Sequence, residues 1–248
     1  MADVVAIIPA RFGSTRFPGK VIADIGGKPL IQHVYERASR AASVSRITVA
    51  TDDERVADVV KSFDGEVIMT SPHHKSGTDR VAEAAKSTGG EIILNVQGDE
   101  PLIEPDVIDA VCNKLQEDEE IVCSTAASPV TEKAIYEDPH AVKVIVDLRG
   151  RALYFSRSPI PYYRDDEFRG TYLHAGIYCF RRTFLERYTF LEQTRLEKAE
   201  KLEQLRILEH GYSIGVVLTD YHSIGVDTEE DLEMVRRLLK NSKNNLYT

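Results

Sequence analysis

The 248-residue sequence predicts an α/β fold: an open, mostly parallel central sheet flanked by helices, with a smaller β-rich region late in the chain. Three observations lead there. Short, β-branched apolar runs recur along the first half, and each is followed by a stretch with apolar residues at helical spacing. Beyond about residue 128 this alternation gives way to closely spaced extended segments.

Val4 to Ile8 is a continuous apolar run ending at Pro9, the composition of a strand buried on both faces. From Pro29 to Ala42, Leu30, Ile31, Val34 and Ala38 share one helical face, and Ile47 to Ala50 returns to strand composition, completing a βαβ unit. The rhythm repeats with a helix near Glu54 to Ser62, a strand at Glu66 to Met69, a helix at Asp79 to Ser87 and a strand at Glu91 to Val96. A helix at Pro105 to Glu117 and a strand at Ile121 to Thr125 follow. Val142 to Asp147 and Arg151 to Ser156 flank Leu148-Arg149-Gly150 as a hairpin would, and Tyr172 to Phe180 adds another extended stretch. These place a β-rich insertion at about 128–180 within a single domain spanning 1–248. Helical spacing resumes at Arg181 to Phe190 and Leu196 to His210. A strand at Ile214 to Leu218 and a helix capped by Thr228 close the pattern.

Charge narrows the function. With 31 Lys+Arg against 40 Asp+Glu the net charge is −9, which argues against non-specific nucleic-acid binding unless positive charge is locally concentrated. The first apolar run lacks the basic start of a signal peptide, and no segment approaches the roughly 18 apolar residues of a membrane span. The expectation is a cytoplasmic protein with no membrane partner. Cys112, Cys123 and Cys179 are too few and too scattered for a disulfide framework or a zinc knuckle, and read as reduced, mostly buried thiols.

The concentration of positive charge exists. Ala10-Arg11-Phe12-Gly13-Ser14-Thr15-Arg16-Phe17-Pro18-Gly19-Lys20 leaves the C-terminal end of the first strand, where open α/β sheets bind ligands, and holds three cations and no acid. A polyphosphate suits it: glycines admit backbone N–H groups to oxygens, Ser14 and Thr15 add donors, and Arg11 and Lys20 supply charge. It is not a Walker A loop, since five residues separate Gly13 from Gly19 and Val21 follows Lys20, nor does a G-x-G-x-x-G fingerprint occur.

Asp99 ends another buried strand in Asn95-Val96-Gln97-Gly98-Asp99, and Asp227 lies just before the last helix. Alone, each has a plain reading, a turn aspartate and a neighbour of a helix cap. Together they can meet beside the phosphate loop. Two carboxylates next to a triphosphate repel it, by roughly 4 kcal/mol per unit pair at 4 Å and an effective dielectric near 20. A Mg²⁺ ion reverses the sign, because it takes one or two protein carboxylates with phosphate oxygens and water.

One literal motif is rejected. Gly211-Tyr212-Ser213-Ile214-Gly215 matches the G-x-S-x-G nucleophile elbow, with Asp220 and His222 following, but the elbow needs a strand before its serine and a helix after it. Here the order is reversed, so Gly211 reads as the residue that ends a helix. Among the histidines only His174, near Tyr178, is kept as a possible substrate donor; a structural role suits its position equally.

Taken together these residues resemble a known family, the CMP-Kdo synthetases (3-deoxy-manno-octulosonate cytidylyltransferases). The matching stretches are IPARFGSTRFPGK at 8–20, SGTDR at 76–80, NVQGDEP at 95–101, ALYFSRSPIPYYR at 152–164, HAGIY at 174–178, LEQLR at 202–206 and GVDTEEDLE at 225–233. The resemblance implies a Rossmann-like nucleotidyltransferase fold with a smaller dimerisation region, a homodimer, and Mg²⁺-dependent reaction of CTP with Kdo to give CMP-Kdo and pyrophosphate for lipopolysaccharide biosynthesis. By residue match, Arg11 and Lys20 bind the triphosphate, Asp99 and Asp227 hold Mg²⁺, and Pro9, Ala10, Arg80 and Gln97 surround the nucleoside. Arg157, His174, Glu203 and Gln204 face the acid sugar, with Arg164 and Tyr178 beside them. Phe17 stands where the family often has Leu, and Ala175 where a bulkier apolar residue is common; the second departure touches the sugar pocket. A cytidylyltransferase for 8-amino-Kdo or a sialic acid, and a non-catalytic nucleotide-binding protein, remain the alternatives.

Overall fold

In the computed structural model, which describes residues 2–244 apart from 15, 75 and 166, the chain divides into two compact units: 1–109 with 223–248, and 110–222. Thr15, expected to add a donor to the phosphate loop, lies outside the described residues.

The first unit opens with β1 (Val4–Pro9), a 3-10 turn (Lys20–Ile22) and a short hairpin of β2 (Asp24–Ile25) and β3 (Lys28–Pro29). Gly26 and Gly27 both have positive φ, which is what a two-residue turn of this hand demands. Then come α1 (Leu30–Ala38), β4 (Val44–Thr51), α2 (Glu54–Lys61), β5 (Val67–Met69), α3 (Gly77–Ala85), β6 (Ile92–Asn95) and α4 (Pro105–Glu117), the last running on into the second unit. The strands pair in the order β6-β1-β4-β5, every pair parallel. β1 is central, and Val4 to Ile8 are buried throughout, as the unbroken apolar run requires. Each valine and isoleucine of the run contributes about 1.5–3 kcal/mol by leaving water.

Caps decide where the helices begin and end. α3 starts two residues ahead of the expected Asp79 because the Ser76 hydroxyl accepts from Asp79 N at 3.1 Å, a cap the apolar spacing does not reveal. α1 stops at Ala38 rather than Ala42 because the Asp109 carboxylate takes the N–H groups of Ala42 at 3.0 Å and Ser43 at 2.7 Å.

The second unit is where the pairing changes direction. β7 (Ile121–Val130) runs five residues past the expected Thr125 and is followed by α5 (Lys133–Glu137), β8 (Lys143–Val146), β9 (Ala152–Ser156) and β10 (Thr171–Arg181). β8 and β9 form the expected hairpin, with the Asp147 carboxylate accepting from Arg149 N and Arg151 N across the turn. β10 lies antiparallel to both β7 and β8. α6 (Arg182–Tyr188) follows, then α7 (Arg195–Glu200) and α8 (Gln204–Glu209) in place of the single helix expected over Leu196 to His210. The break is at Lys201, whose φ of 55° and ψ of 45° are left-handed. β11 (Ser213–Leu218) then pairs parallel to β7.

α9 (Glu229–Asn244) returns to the first unit. Thr228 Oγ1 accepts from Asp231 N at 3.2 Å and Asp231 Oδ2 accepts from Thr228 N at 2.9 Å, a reciprocal cap that fixes the chain entering the helix. The three cysteines are buried and free, with 3.7 Å between the Sγ atoms of Cys112 and Cys179. Among the described residues, no helix is long and apolar enough to cross a membrane.

Candidate active site

The loop leaving β1 is folded back on itself. Ala10 N donates to Ala50 O at 2.9 Å, and Phe12 O accepts from Ser14 N at 3.0 Å and Gly19 N at 2.8 Å. Gly19 has a φ of 75°, and a Cβ there would lie 3.1 Å from the Phe12 ring, so glycine suits the position twice over. The Arg55 guanidinium stacks 3.4 Å from the centre of the Phe12 ring and is itself held by Asp53. Ser14 Oγ accepts from Phe17 N at 3.4 Å, and Arg11 is exposed.

Lys20, by contrast, is only 9% exposed. Its ammonium donates to Asp99 Oδ2 at 2.6 Å and to Asp227 Oδ1 at 2.9 Å, so the two acids meet on one cation. Arg16, counted above only as loop charge, donates to Asp227 Oδ2 at 2.7 Å. Its signal was present in the composition of the loop, but nothing in spacing joins it to Asp227.

The surrounding backbone explains the convergence. A Cβ on Gly98 would lie 2.7 Å from Pro9 O, so only glycine lets this turn approach β1 closely enough to aim Asp99 at Lys20. Val226 N donates to Asp99 O at 2.9 Å, and Asp227 N donates to Asp231 Oδ2 at 3.0 Å. Asp99 is therefore a turn residue and Asp227 the neighbour of a helix cap, and both direct their carboxylates to the same ammonium. Burial would lower the Lys20 pKa, but the adjoining Asp99 and Asp227 carboxylates outweigh it and raise the value. Burial likewise opposes ionisation of Asp227, yet Lys20 and Arg16 hold its pKa below the ordinary one.

Mg²⁺ fits this donor set. Asp99 and Asp227 supply hard carboxylate oxygens that converge on one point, the ligand chemistry of an ion that fills the rest of its shell with phosphate and water.

The remaining nucleotide candidates belong to the same unit. Pro9 and Gln97 come together over Gly77, whose Cβ position is 3.5 Å from Pro9 Cγ and 3.9 Å from Gln97 Oε1. Arg80, 5% exposed, is held by Thr70 Oγ1 at 2.5 Å and Asp52 at 3.2 Å.

The sugar candidates all lie in the second unit. His174 packs against Phe155 and Tyr178, with its Nε2 3.0 Å from Thr125 Oγ1. The single Thr125 proton is directed at the carbonyls of Ala175 and Ile177, at 3.1 and 2.7 Å, which leaves Nε2 to carry the proton of the imidazole. Burial lowers the His174 pKa to about 3, so the ring is neutral, and burial pushes the Tyr178 hydroxyl well up. Arg157 Nε donates to Glu200 O at 2.8 Å and Nη1 to Pro139 O at 3.1 Å. Glu203 precedes α8 and accepts from the Tyr188 hydroxyl through its carbonyl, Gln204 is buried in the first turn, and Arg164 is exposed. Sequence reasoning missed a buried ion pair of the same unit, Glu197 with Arg206 at 2.5 Å, although Arg206 ends the LEQLR stretch.

The nucleophile-elbow match fails as expected. Gly211, with a φ of 80°, follows α8, and Ser213 opens β11.

A family model described as Cytidylyltransferase matches residues 5–214. The 3-deoxy-manno-octulosonate cytidylyltransferase of Geobacter sulfurreducens (strain ATCC 51573 / DSM 12127 / PCA) is 53% identical over 249 residues, covering 96% of this chain and 100% of its own. That of Geotalea uraniireducens (strain Rf4) is 52% identical over 248 residues, covering 96% and 99%. A solved structure of CMP:2-keto-3-deoxy-manno-octonic acid synthetase complexed with CTP superposes with a TM-score of 0.93 at 44% identity, over 97% of this chain and 99% of that one. An α/β chain of this topology, matched from end to end at such identity, belongs to the 3-deoxy-manno-octulosonate cytidylyltransferase family.

Proposed function

We propose that this chain transfers CMP from CTP to the anomeric hydroxyl of Kdo, giving CMP-Kdo and pyrophosphate. The observation that carries the reading is the meeting of Asp99 and Asp227 on the Lys20 ammonium at the end of the parallel sheet. The sugar hydroxyl attacks the α-phosphorus in line, its oxygen forming the new P–O bond as the bond to pyrophosphate breaks and the hydroxyl proton is lost to solvent. Such a reaction needs positioning and charge neutralisation from the protein more than covalent help.

Asp99 and Asp227 are the residues that would hold Mg²⁺, which when bound neutralises phosphate oxygens and stabilises the charge of the leaving group. Lys20, released as counter-charge to the acids, faces the triphosphate together with Arg11, while the folded-back loop offers Ser14 and main-chain N–H groups. Pro9, Ala10, Gln97 and Arg80 bound the nucleoside. Arg157 pairs with the sugar carboxylate, since a guanidinium matches a carboxylate geometrically, and Glu203, Gln204, Arg164 and Tyr178 complete the sugar contacts. His174 serves there as a neutral hydrogen-bonding group, because burial keeps it from carrying a second proton near neutral pH.

Pyrophosphate release measured for CTP, UTP and ATP against Kdo, 8-amino-Kdo and a sialic acid tests this. The expected pair is CTP with Kdo, with activity abolished by EDTA and restored by Mg²⁺. Preference for another sugar would redefine the substrate, and no release with any pair would leave a nucleotide-binding protein.

A further inference from the structure

Lys143, on β8, is 1% exposed, and its ammonium is bonded entirely by main chain. Nζ donates to Ala141 O at 2.6 Å, Arg157 O at 2.7 Å and Asp138 O at 2.8 Å, which uses all three of its donors. Burying an ammonium is costly, and an apolar side chain of similar size commonly packs as well or better. What this arrangement supplies is geometry: one rigid point ties the turn at 138–141 to the backbone of Arg157.

The other side of Arg157 is fixed by Glu200, the last residue of α7. Glu200 Oε2 accepts from Arg157 N at 2.9 Å, Oε1 accepts from the Ser156 hydroxyl at 2.6 Å, and the Glu200 carbonyl accepts from Arg157 Nε at 2.8 Å. Pro139, in the turn that Lys143 holds, takes an Nη1 proton of Arg157 at 3.1 Å. Backbone and side chain of Arg157 are thus fixed from two directions. A guanidinium has five N–H donors, and these contacts use one on Nε and one on Nη1. The three that remain are on Nη1 and Nη2, so a carboxylate can be met only at the outer end of the group and not along its Nε side.

We propose that Lys143 and Glu200 are positioning residues of the acid-sugar subsite, holding Arg157 so that its Nη1–Nη2 end is presented to the sugar carboxylate. This rests on the reading of Arg157 given above.

The test uses the full chain and separates KM for the acid sugar from KM for CTP in pyrophosphate release. Lys143→Met and Glu200→Gln are expected to raise the KM for Kdo about tenfold, the size of one charge-assisted hydrogen bond. The KM for CTP is expected to stay within about twofold, and Glu200→Gln added to Arg157→Ala to change the KM for Kdo by less than about twofold more, because residues acting through one partner are not additive. If Lys143→Met does not fold, Glu200→Gln and the double variant still decide the matter. An unchanged KM for Kdo in Glu200→Gln while Arg157→Ala raises it, a parallel rise in both KM values, or effects of Glu200→Gln and Arg157→Ala that multiply, would each overturn the positioning role. An Arg157→Ala enzyme with normal KM for Kdo would instead remove the reading of Arg157 on which the role depends.

Discussion

Lys20 is the point on which the first unit's charges balance: two carboxylates within hydrogen-bond distance of one ammonium, with Arg16 on the outer oxygen of Asp227. Lys20→Ala is expected to lower turnover about 10²–10³-fold, as loss of one preorganised charge donor does elsewhere. Pyrophosphate release at saturating substrates measures this, and an unchanged rate would remove Lys20 from the reaction. His174 makes a separate prediction about pH. Its folded pKa is about 3 against the ordinary imidazole value of 6.5, so below pH 6.5 the unfolded chain takes up a proton that the folded one refuses. Stability should therefore fall as pH drops from 6.5 towards 3, by at most about 2 kcal/mol at pH 5 from this group. Urea denaturation at pH 7 and pH 5 should show a smaller difference in His174→Gln than in the parent protein. That Asp99 and Asp227 come together beside Lys20 was legible because Asp99 follows a buried strand and Asp227 precedes the last helix. Lys143 was not, since its partners are carbonyls, and a main-chain acceptor leaves no mark on the pattern of side chains.

At the level of elements, the continuous apolar runs located the strands and the spacing of apolar residues located most helices, because burial on two faces and on one face impose those two patterns. Ends were less legible. The stop of α1 depends on Asp109, distant in sequence, and the tight β2–β3 hairpin on the paired glycines 26 and 27. The division of α7 from α8 depends on Lys201, a residue type that favours helices and gives no warning of a break. A left-handed conformation costs a non-glycine residue about 1–2 kcal/mol. Lys201→Gly should accordingly leave the protein as stable or more stable, by up to about 1 kcal/mol, in thermal or denaturant unfolding. Marked destabilisation would mean that the Lys201 side chain itself holds the turn. Gly98→Ala should act in the opposite sense. Its Cβ would stand 2.7 Å from Pro9 O, so overpacking of about 1–3 kcal/mol is expected, with lost activity as Asp99 is displaced.

For the whole molecule, the net charge of −9 argues against a polyanionic polymer, and the cationic loop is the local exception that suits a small phosphate ligand. The division into two units was not visible in composition, because the boundary near residue 109 falls inside α4 rather than in a linker. Nor does sequence order announce that the first unit is completed by residues 223–248. A chain ended at His222 keeps Lys20 and Asp99 but lacks Asp227 and α9, and is expected to release no pyrophosphate in the same assay. Retained activity would show that Asp99 suffices.

The hydrogen bond from Val226 N to Asp99 O joins a turn made early to a segment made late. Synthesis proceeds from the N-terminus at roughly 5–20 residues per second, and folding follows it. On the ribosome, therefore, the growing polypeptide displays its phosphate loop long before the second acid emerges. The Lys20 cluster is therefore complete only once Asp227 has been made, whatever has folded before it.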